Sequence, residues 1–212
     1  MDSVAITPGL TLTDTLYETA ATGALAFTPD LALTWEKFIE PTSWWLIPDG
    51  TGRLSKAELT LLDTREHTVK INLWYAPDIR DANGRPAPHS HPWPFTSQIL
   101  TGGYSEDRYT LSSTGIQANL GCEHTQGQVN KVDRDLYHEV TALHAGPGAT
   151  ITLMMCGRGE RGSWGHFDPA TGTVTPPERD PLFPQRLRTL NPHRREAQRL
   201  ANVGTPEEPP ES

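Results

Sequence analysis

This chain has little of what specialised scaffolds need. Its two cysteines, Cys122 and Cys156, stand 34 positions apart in 212 residues. One such pair does not make a disulfide framework, so reduced thiols are expected. Positive charge is in deficit: 18 Lys and Arg against 26 Asp and Glu give a net charge of −8. That balance excludes a general nucleic-acid binder, which needs a positive face toward phosphate. No apolar run approaches the length of a membrane span. The start, "MDSVAITPGLTLTD", has neither the basic residues nor the continuous apolar stretch of a secretory leader. The expectation is a cytoplasmic protein without nucleic-acid or membrane partners.

What the chain does have is punctuation. With 18 Gly and 19 Pro, it suits many short strands joined by turns better than a helical bundle. Residues 1–56 read as an N-terminal arm packing on the main body, with a short helix capped by Thr28 or Asp30 and stopped by Pro41, then the apolar Trp44-Trp45. From about 57 to 156 the pattern has period two, within a main body read as residues 57–180. "HTVKINLWY" sets Val69, Ile71, Leu73 and Tyr75 on one face and Lys70, Asn72 and Trp74 on the other. Repeated short strands of this kind predict an antiparallel sandwich or barrel. "FDPATGTVTPP" reads as a late hairpin. Residues 181–212 read as an extension with a short basic helix and a disordered acidic end, "TPEEPPES".

Chemistry concentrates in "RPAPHSHPWPFTSQILTGGY". Alternate residues of a strand project to one side, so His89 and His91 can reach the same ion. Neutral imidazole suits Fe, Zn, Cu and Ni alike, so the pair alone does not choose the metal. His138, in "DLYHEVTALHAGPGA", supplies a third imidazole on a later strand.

These residues resemble the motifs of the cupin superfamily: glycine, H-x-H, a glutamate a few positions on, a closing glycine, and a further histidine in a second motif. Here Gly84, His89, His91, Gly103 and His138 fill those places, while Thr96 stands where the glutamate is usual. A threonine hydroxyl is a poor ligand, so the resemblance narrows to the thiol dioxygenases, above all cysteine dioxygenase, whose iron sits on three histidines. "HEVTALHAGPGATITLMMCGRGERGSWGHFDPATG" continues the likeness through an F-D-x-x-T-G turn, over roughly residues 64–172. It implies an all-β cupin jelly-roll (double-stranded β-helix) barrel. It also implies Fe(II), or another divalent metal, on His89, His91 and His138, and oxidation of a small organic molecule with O2. Cupins often dimerise through their sheets, which adds a homodimer to the expectations. The likeness is better in scaffold than in chemistry. Leu153 and Met155 occupy the places of the histidine and tyrosine that orient substrate and oxygen in cysteine dioxygenases.

Around this centre the sequence offers candidates with competing roles. Gln98, of the same parity as Thr96, reads as an acceptor for a ligand N–H, as a ligand itself, or as a polar residue on an exposed face. Arg65 matches the family's carboxylate-binding arginine, since guanidinium grips a carboxylate in bidentate fashion, or is an exposed charge in "DTREH". Tyr104 and Tyr109 line the barrel or pack within it. Trp164 and His166 cover a pocket mouth or form a structural edge. His124 and His144 read as strand-end and loop residues, and Glu139 has the wrong parity to join His138. Two rival functions stand beside the oxygenase: a metal-dependent lyase or isomerase, and a non-catalytic cupin that binds a small ligand.

Overall fold

The structure is a computed structural model, and it describes residues 3–7, 9–78, 87–113, 115–160, 164–176 and 180–194. In chain order its strands are β1 (Ser3–Thr7), β2 (Leu10–Thr13), β3 (Trp44–Pro48), β4 (Leu54–Asp63), β5 (Thr68–Trp74), β6 (Phe95–Thr101) and β7 (Gly103–Ser112). They continue with β8 (Gly115–Thr125), β9 (Val129–Val132), β10 (Leu136–Leu143), β11 (Thr150–Cys156), β12 (His166–Asp168) and β13 (Thr173–Thr175). The helices are α1 (Asp14–Phe27), α2 (Trp35–Ile39) and α3 (Phe183–Leu190).

One sheet runs β3-β4-β5-β11-β6-β9. The other runs β8-β7-β10 and continues through His89, which bridges to His138 on one side and to His166 of the β12-β13 ribbon on the other. All pairings are antiparallel, and the two sheets form the expected jelly-roll barrel. The chain passes from the first sheet to the second at Gly102-Gly103. Both take positive φ (70° and 152°), and a Cβ on Gly103 would lie 2.5 Å from the His124 carbonyl oxygen. Only glycine fits there without displacing backbone.

The alternation read in "HTVKINLWY" decides where the apolar core lies. Val69, Ile71 and Leu73, with Ala57, Leu59, Ile151 and Leu153, point away from the lumen and are buried under Leu10, Leu12, Ala20, Ala24, Phe38 and Trp44 of the N-terminal segment. The opposite face carries Lys70, Asn72 and Trp74, and their cross-strand neighbours Glu58 and Thr152. The largest apolar cluster therefore sits outside the barrel, and the lumen mixes polar residues such as Asn72 and Thr152 with two smaller apolar clusters around Trp74 and Phe95.

Two expectations for the N-terminal segment are corrected. Helix α1, capped by the Thr13 hydroxyl, was not foreseen because its threonines and Gly23 dilute the helical pattern. Gly23 lies where α1 packs closely on β6, and a Cβ there would fall 2.5 Å from the end of the Leu100 side chain. The expected short helix is confined to α2 and is capped by Thr34 rather than by Thr28 or Asp30. At the other end, buried Asn191 after α3 accepts from the Leu46 N–H (2.8 Å) and donates to its carbonyl (2.7 Å), completing the β3 edge as a strand would. Gly84 and residues 195–212, with the acidic end, lie outside the described residues. No helix among the described residues is long and apolar enough to cross a membrane.

Candidate metal centre

His89 owes its position to its proline-rich setting. Pro88, Pro92 and Pro94 have no N–H and favour extended neighbours, so the segment can pair only at selected residues. The His89 N–H donates to the His138 carbonyl (2.9 Å) and the His138 N–H to the His89 carbonyl (3.0 Å). On the other side Ser90 N–H reaches the Gly165 carbonyl (3.0 Å) and Phe167 N–H the Pro88 carbonyl (2.8 Å). Direct pairing puts the side chains of His89 and His138 on the same face of the sheet, and His91 joins them two residues on.

The three imidazoles each present a nitrogen, all within 4.8 Å of one another. Ring centroids are 4.9 Å apart for His89 and His91, and 5.2 Å from each of them to His138. Phe95 packs at 5.0 Å edge-on to His91 and at 5.7 Å from His138, which restricts both rings. The Nε2 atoms of His91 and His138 are 3.0 Å apart. Two imidazole nitrogens bound at right angles to one ion at about 2.1 Å would stand about 3 Å apart, so this spacing fits a shared metal. Burial, together with repulsion from the neighbouring imidazoles, pushes His91 far below the usual histidine range; burial takes His89 down to about 4. Both are thus neutral near pH 7, the form that binds metal.

Behind the rings lies a carboxylate that the sequence reading missed. Glu106 on β7 is fully buried. Its Oε2 accepts from Nδ1 of His138 (3.0 Å) and its Oε1 from Nε2 of His124 (3.0 Å). Asn130 Nδ2 donates to both oxygens (3.1 and 3.2 Å), and Arg108 Nε lies 3.4 Å away. Burial alone would raise its pKa, but the hydrogen bonds from His124 and His138 win and bring it down to about 2. An ionised Glu106 keeps the proton of His138 on Nδ1 and leaves the Nε2 lone pair facing His91. A second carboxylate, Asp78, accepts from the Val140 N–H (2.8 Å). Burial works against its charged form, yet the field of His89 holds its pKa below the ordinary value.

The other sequence candidates sort clearly. Gln98 is not beside the imidazoles. Along β6 it is Phe95 and Ser97 that face the lumen, whereas Leu100 packs with the outer cluster against α1, and Gln98 shares its parity. Leu153 likewise belongs to the outer core, so Thr152 and Met154 are the inward residues of β11, meeting Asn72 at 3.3 and 3.6 Å. Tyr104 is buried, its hydroxyl accepting from Asn130 Nδ2 (2.9 Å) and its ring lying between Trp74 and His124. It reaches the three imidazoles indirectly, through Asn130 or His124 and then Glu106. His124, read as a strand-end residue, is part of the Glu106 network instead. His144 pairs with the exposed Glu123 (2.7 Å). The His166 ring lies 6.1 Å from His89 and so flanks the imidazole cluster, with the Trp164 ring 6.0 Å beyond it. Arg65, in the β4–β5 turn, lines a cleft beyond Trp93 rather than the histidine cluster. A Glu106-type role is visible in sequence only as Tyr104-x-Glu106, two residues of one parity on the strand after the closing glycines.

No protein-family model matches the chain, and no curated protein matches it in sequence. Among solved structures it is similar to an RmlC-like cupin from Shewanella frigidimarina NCIMB 400, at 14% identity over 54% of this chain and 85% of that one, with a TM-score of 0.34. It is also similar to the polyketide cyclase RemF from Streptomyces resistomycificus, at 19% identity over 52% of this chain and 68% of that one, TM-score 0.32. A third similarity is to hydroxypropylphosphonic acid epoxidase from S. wedmorenis, at 12% identity over 56% of each chain, TM-score 0.36.

Proposed function

We propose that the chain is a mononuclear non-haem Fe(II) enzyme that oxidises a small organic substrate with O2. The observation that carries this reading is the donor set: three imidazoles converging on one point, with the carboxylates of Glu106 and Asp78 outside the cluster of ligand atoms. His89, His91 and His138 would hold the ion on one side and leave adjacent positions for exogenous ligands. Bound there, Fe(II) supplies the one-electron chemistry by which O2 reacts with organic molecules.

The chain's own residues do the rest. Glu106 fixes the tautomer and direction of His138, and the Phe95 ring restricts His91 and His138. Asp78 sets a negative charge beside His89. Together Asp78 and Glu106 balance the charge of a divalent ion without occupying its open positions. Trp93, 6.2 Å from the His91 ring, and Trp164, near His166, border the approach to the centre.

The test is metal analysis of anaerobically purified protein followed by oxygen-uptake screening against thiols, amino acids and hydroxy acids. Iron near one per chain with substrate-linked oxygen consumption supports the oxygenase. Turnover without oxygen that is equally good with Zn(II) or Ni(II) would instead assign a lyase or isomerase. Absence of stoichiometric metal would leave a ligand-binding barrel.

A further inference from the structure

The chain around His89 is paired on both sides, and the two pairings differ. His89 and His138 exchange both backbone hydrogen bonds (2.9 and 3.0 Å). His89 and His166 face one another without exchanging any, because the bonds there run from the Ser90 N–H to Gly165 and from the Phe167 N–H to Pro88. Antiparallel pairs of this second kind bring their Cα atoms closest, to about 4.5 Å, with both side chains on one face. His138, His89 and His166 therefore form a row of three imidazoles across the lumen face, with neighbouring ring centroids 5.2 and 6.1 Å apart.

The place of His166 in that row is fixed by both of its neighbours. Gly165 is tied twice to buried Ser90, its carbonyl accepting from the Ser90 N–H (3.0 Å) and its N–H donating to Ser90 Oγ (3.2 Å). A Cβ on Gly165 would stand 2.6 Å from the Thr175 carbonyl oxygen, so glycine lets β12 close on β13 here. Phe167 is buried on the opposite face, its ring 5.4 Å from those of Tyr109 and Tyr137. Yet His166 is not one of the three imidazoles whose nitrogens lie within 4.8 Å of one another. Its Nδ1 is buried and has no hydrogen-bond partner among the described residues. A buried imidazole nitrogen with a purely structural role is ordinarily hydrogen-bonded, so this one calls for a partner from outside the chain.

We propose that His166 is the hydrogen-bonding residue of the metal's open side, contacting the small exogenous ligand that the His89–His91–His138 centre binds without itself joining the ligand set. This rests on the metal centre of the proposed function, and not on the oxygen chemistry assigned to it. His166 stands one strand beyond His89, on the side away from His138. The ligand it favours is therefore a small molecule or anion with a hydrogen-bonding atom one or two bonds from the atom held by the metal. A hydrogen bond to such a charged group is shorter and stronger than one between neutral partners, so a single imidazole has a measurable effect.

The test is an azide titration of the Co(II)-loaded full chain at constant pH, followed in the visible spectrum and by the infrared stretch of the bound azide. Zn(II) affinity is measured in parallel by chelator competition. His166→Phe and His166→Leu remove the ring nitrogens, one keeping the aromatic volume and one not, and melting curves verify that at least one of them folds. In the folded variant azide binds about tenfold or more weakly and its stretch shifts, while Zn(II) affinity stays within about twofold of wild type. His166→Gln, which keeps a side-chain N–H, restores most of the azide affinity; a merely structural residue would show neither the shifted stretch nor the rescue. Azide affinity indifferent to His166, no azide complex in the wild type, or a tenfold loss of Zn(II) affinity in the variants overturns the proposal. A wild-type protein that takes up neither Co(II) nor Zn(II) refutes the metal centre, and this proposal with it. Azide binding that depends on His166, in a protein whose iron form consumes no oxygen with any substrate screened, supports the proposal and refutes the oxygenase reading alone.

Discussion

Glu106→Gln isolates the support of the metal site from the ligands themselves. The side chain keeps its size, but a fully buried carboxylate that accepts from His138 Nδ1 and His124 Nε2, each at 3.0 Å, becomes an amide with one acceptor. Whichever way the amide turns, its NH₂ group opposes one of the two imidazole N–H groups. If it opposes His138, that ring no longer has its proton held on Nδ1, and its Nε2 lone pair is not guaranteed. Removal of such an outer partner typically lowers metal affinity about 10- to 100-fold, equivalent to roughly 1.4–2.7 kcal/mol. The unsatisfied buried donor costs a further 1–3 kcal/mol or so of stability in the metal-free protein. Chelator-competition titration with Zn(II), a redox-inert probe, reads the first effect, and thermal unfolding of metal-free protein reads the second. Glu123→Gln is the control, because that carboxylate is 61% exposed and touches only Ser105 and His144; no change is expected. Wild-type Zn(II) affinity in Glu106→Gln would refute the role assigned to this carboxylate.

Further outcomes follow from the same geometry. The metal-free protein loses stability as pH falls. Folded His89 stays neutral down to about 4, while the unfolded chain takes up the proton near 6.5. The contribution is therefore complete above 6.5 and lost between 6.5 and 4, by roughly 3 kcal/mol, as urea titrations across that range would record. An unfolding midpoint flat from pH 7 to 4 would contradict this. Gln98→Ala leaves Zn(II) affinity within about twofold of wild type, because the side chain is on the far side of β6; a tenfold loss would return it to the site. Leu153→Ala, in the outer core and 2% exposed, costs about 2–5 kcal/mol in denaturant unfolding while retaining metal stoichiometry.

Strand parity carried much of what was legible in the sequence. The two faces of β5 are those read from "HTVKINLWY", and the fold class follows from the repeated short strands and turns. His89, His91 and His138 were found from spacing and motif order because a ligand pair on extended chain leaves a local signature. Of the three readings open for Gln98, the strand pairing favours the polar residue on the outer face. Counting by twos from His91 reaches Phe95 and Ser97, which do face the lumen, whereas the motif position at Thr96 led the count onto the other face. Glu106, Asp78 and His124 were missed for a different reason. Their roles come from pairing between β7, β8 and β10 and from the chain around Asp78, contacts between residues far apart in sequence. Helix α1 was lost because its helical character owes more to packing on the sheet than to local propensity.

The most direct test of the metal centre is X-ray absorption spectroscopy at the iron edge on anaerobically loaded protein, with iron content measured on the same sample. One iron per chain with three imidazole nitrogens in its coordination sphere is the predicted result. A coordination sphere built from sulfur or protein carboxylates, fewer than three imidazoles, or iron that washes out to substoichiometric levels would contradict it.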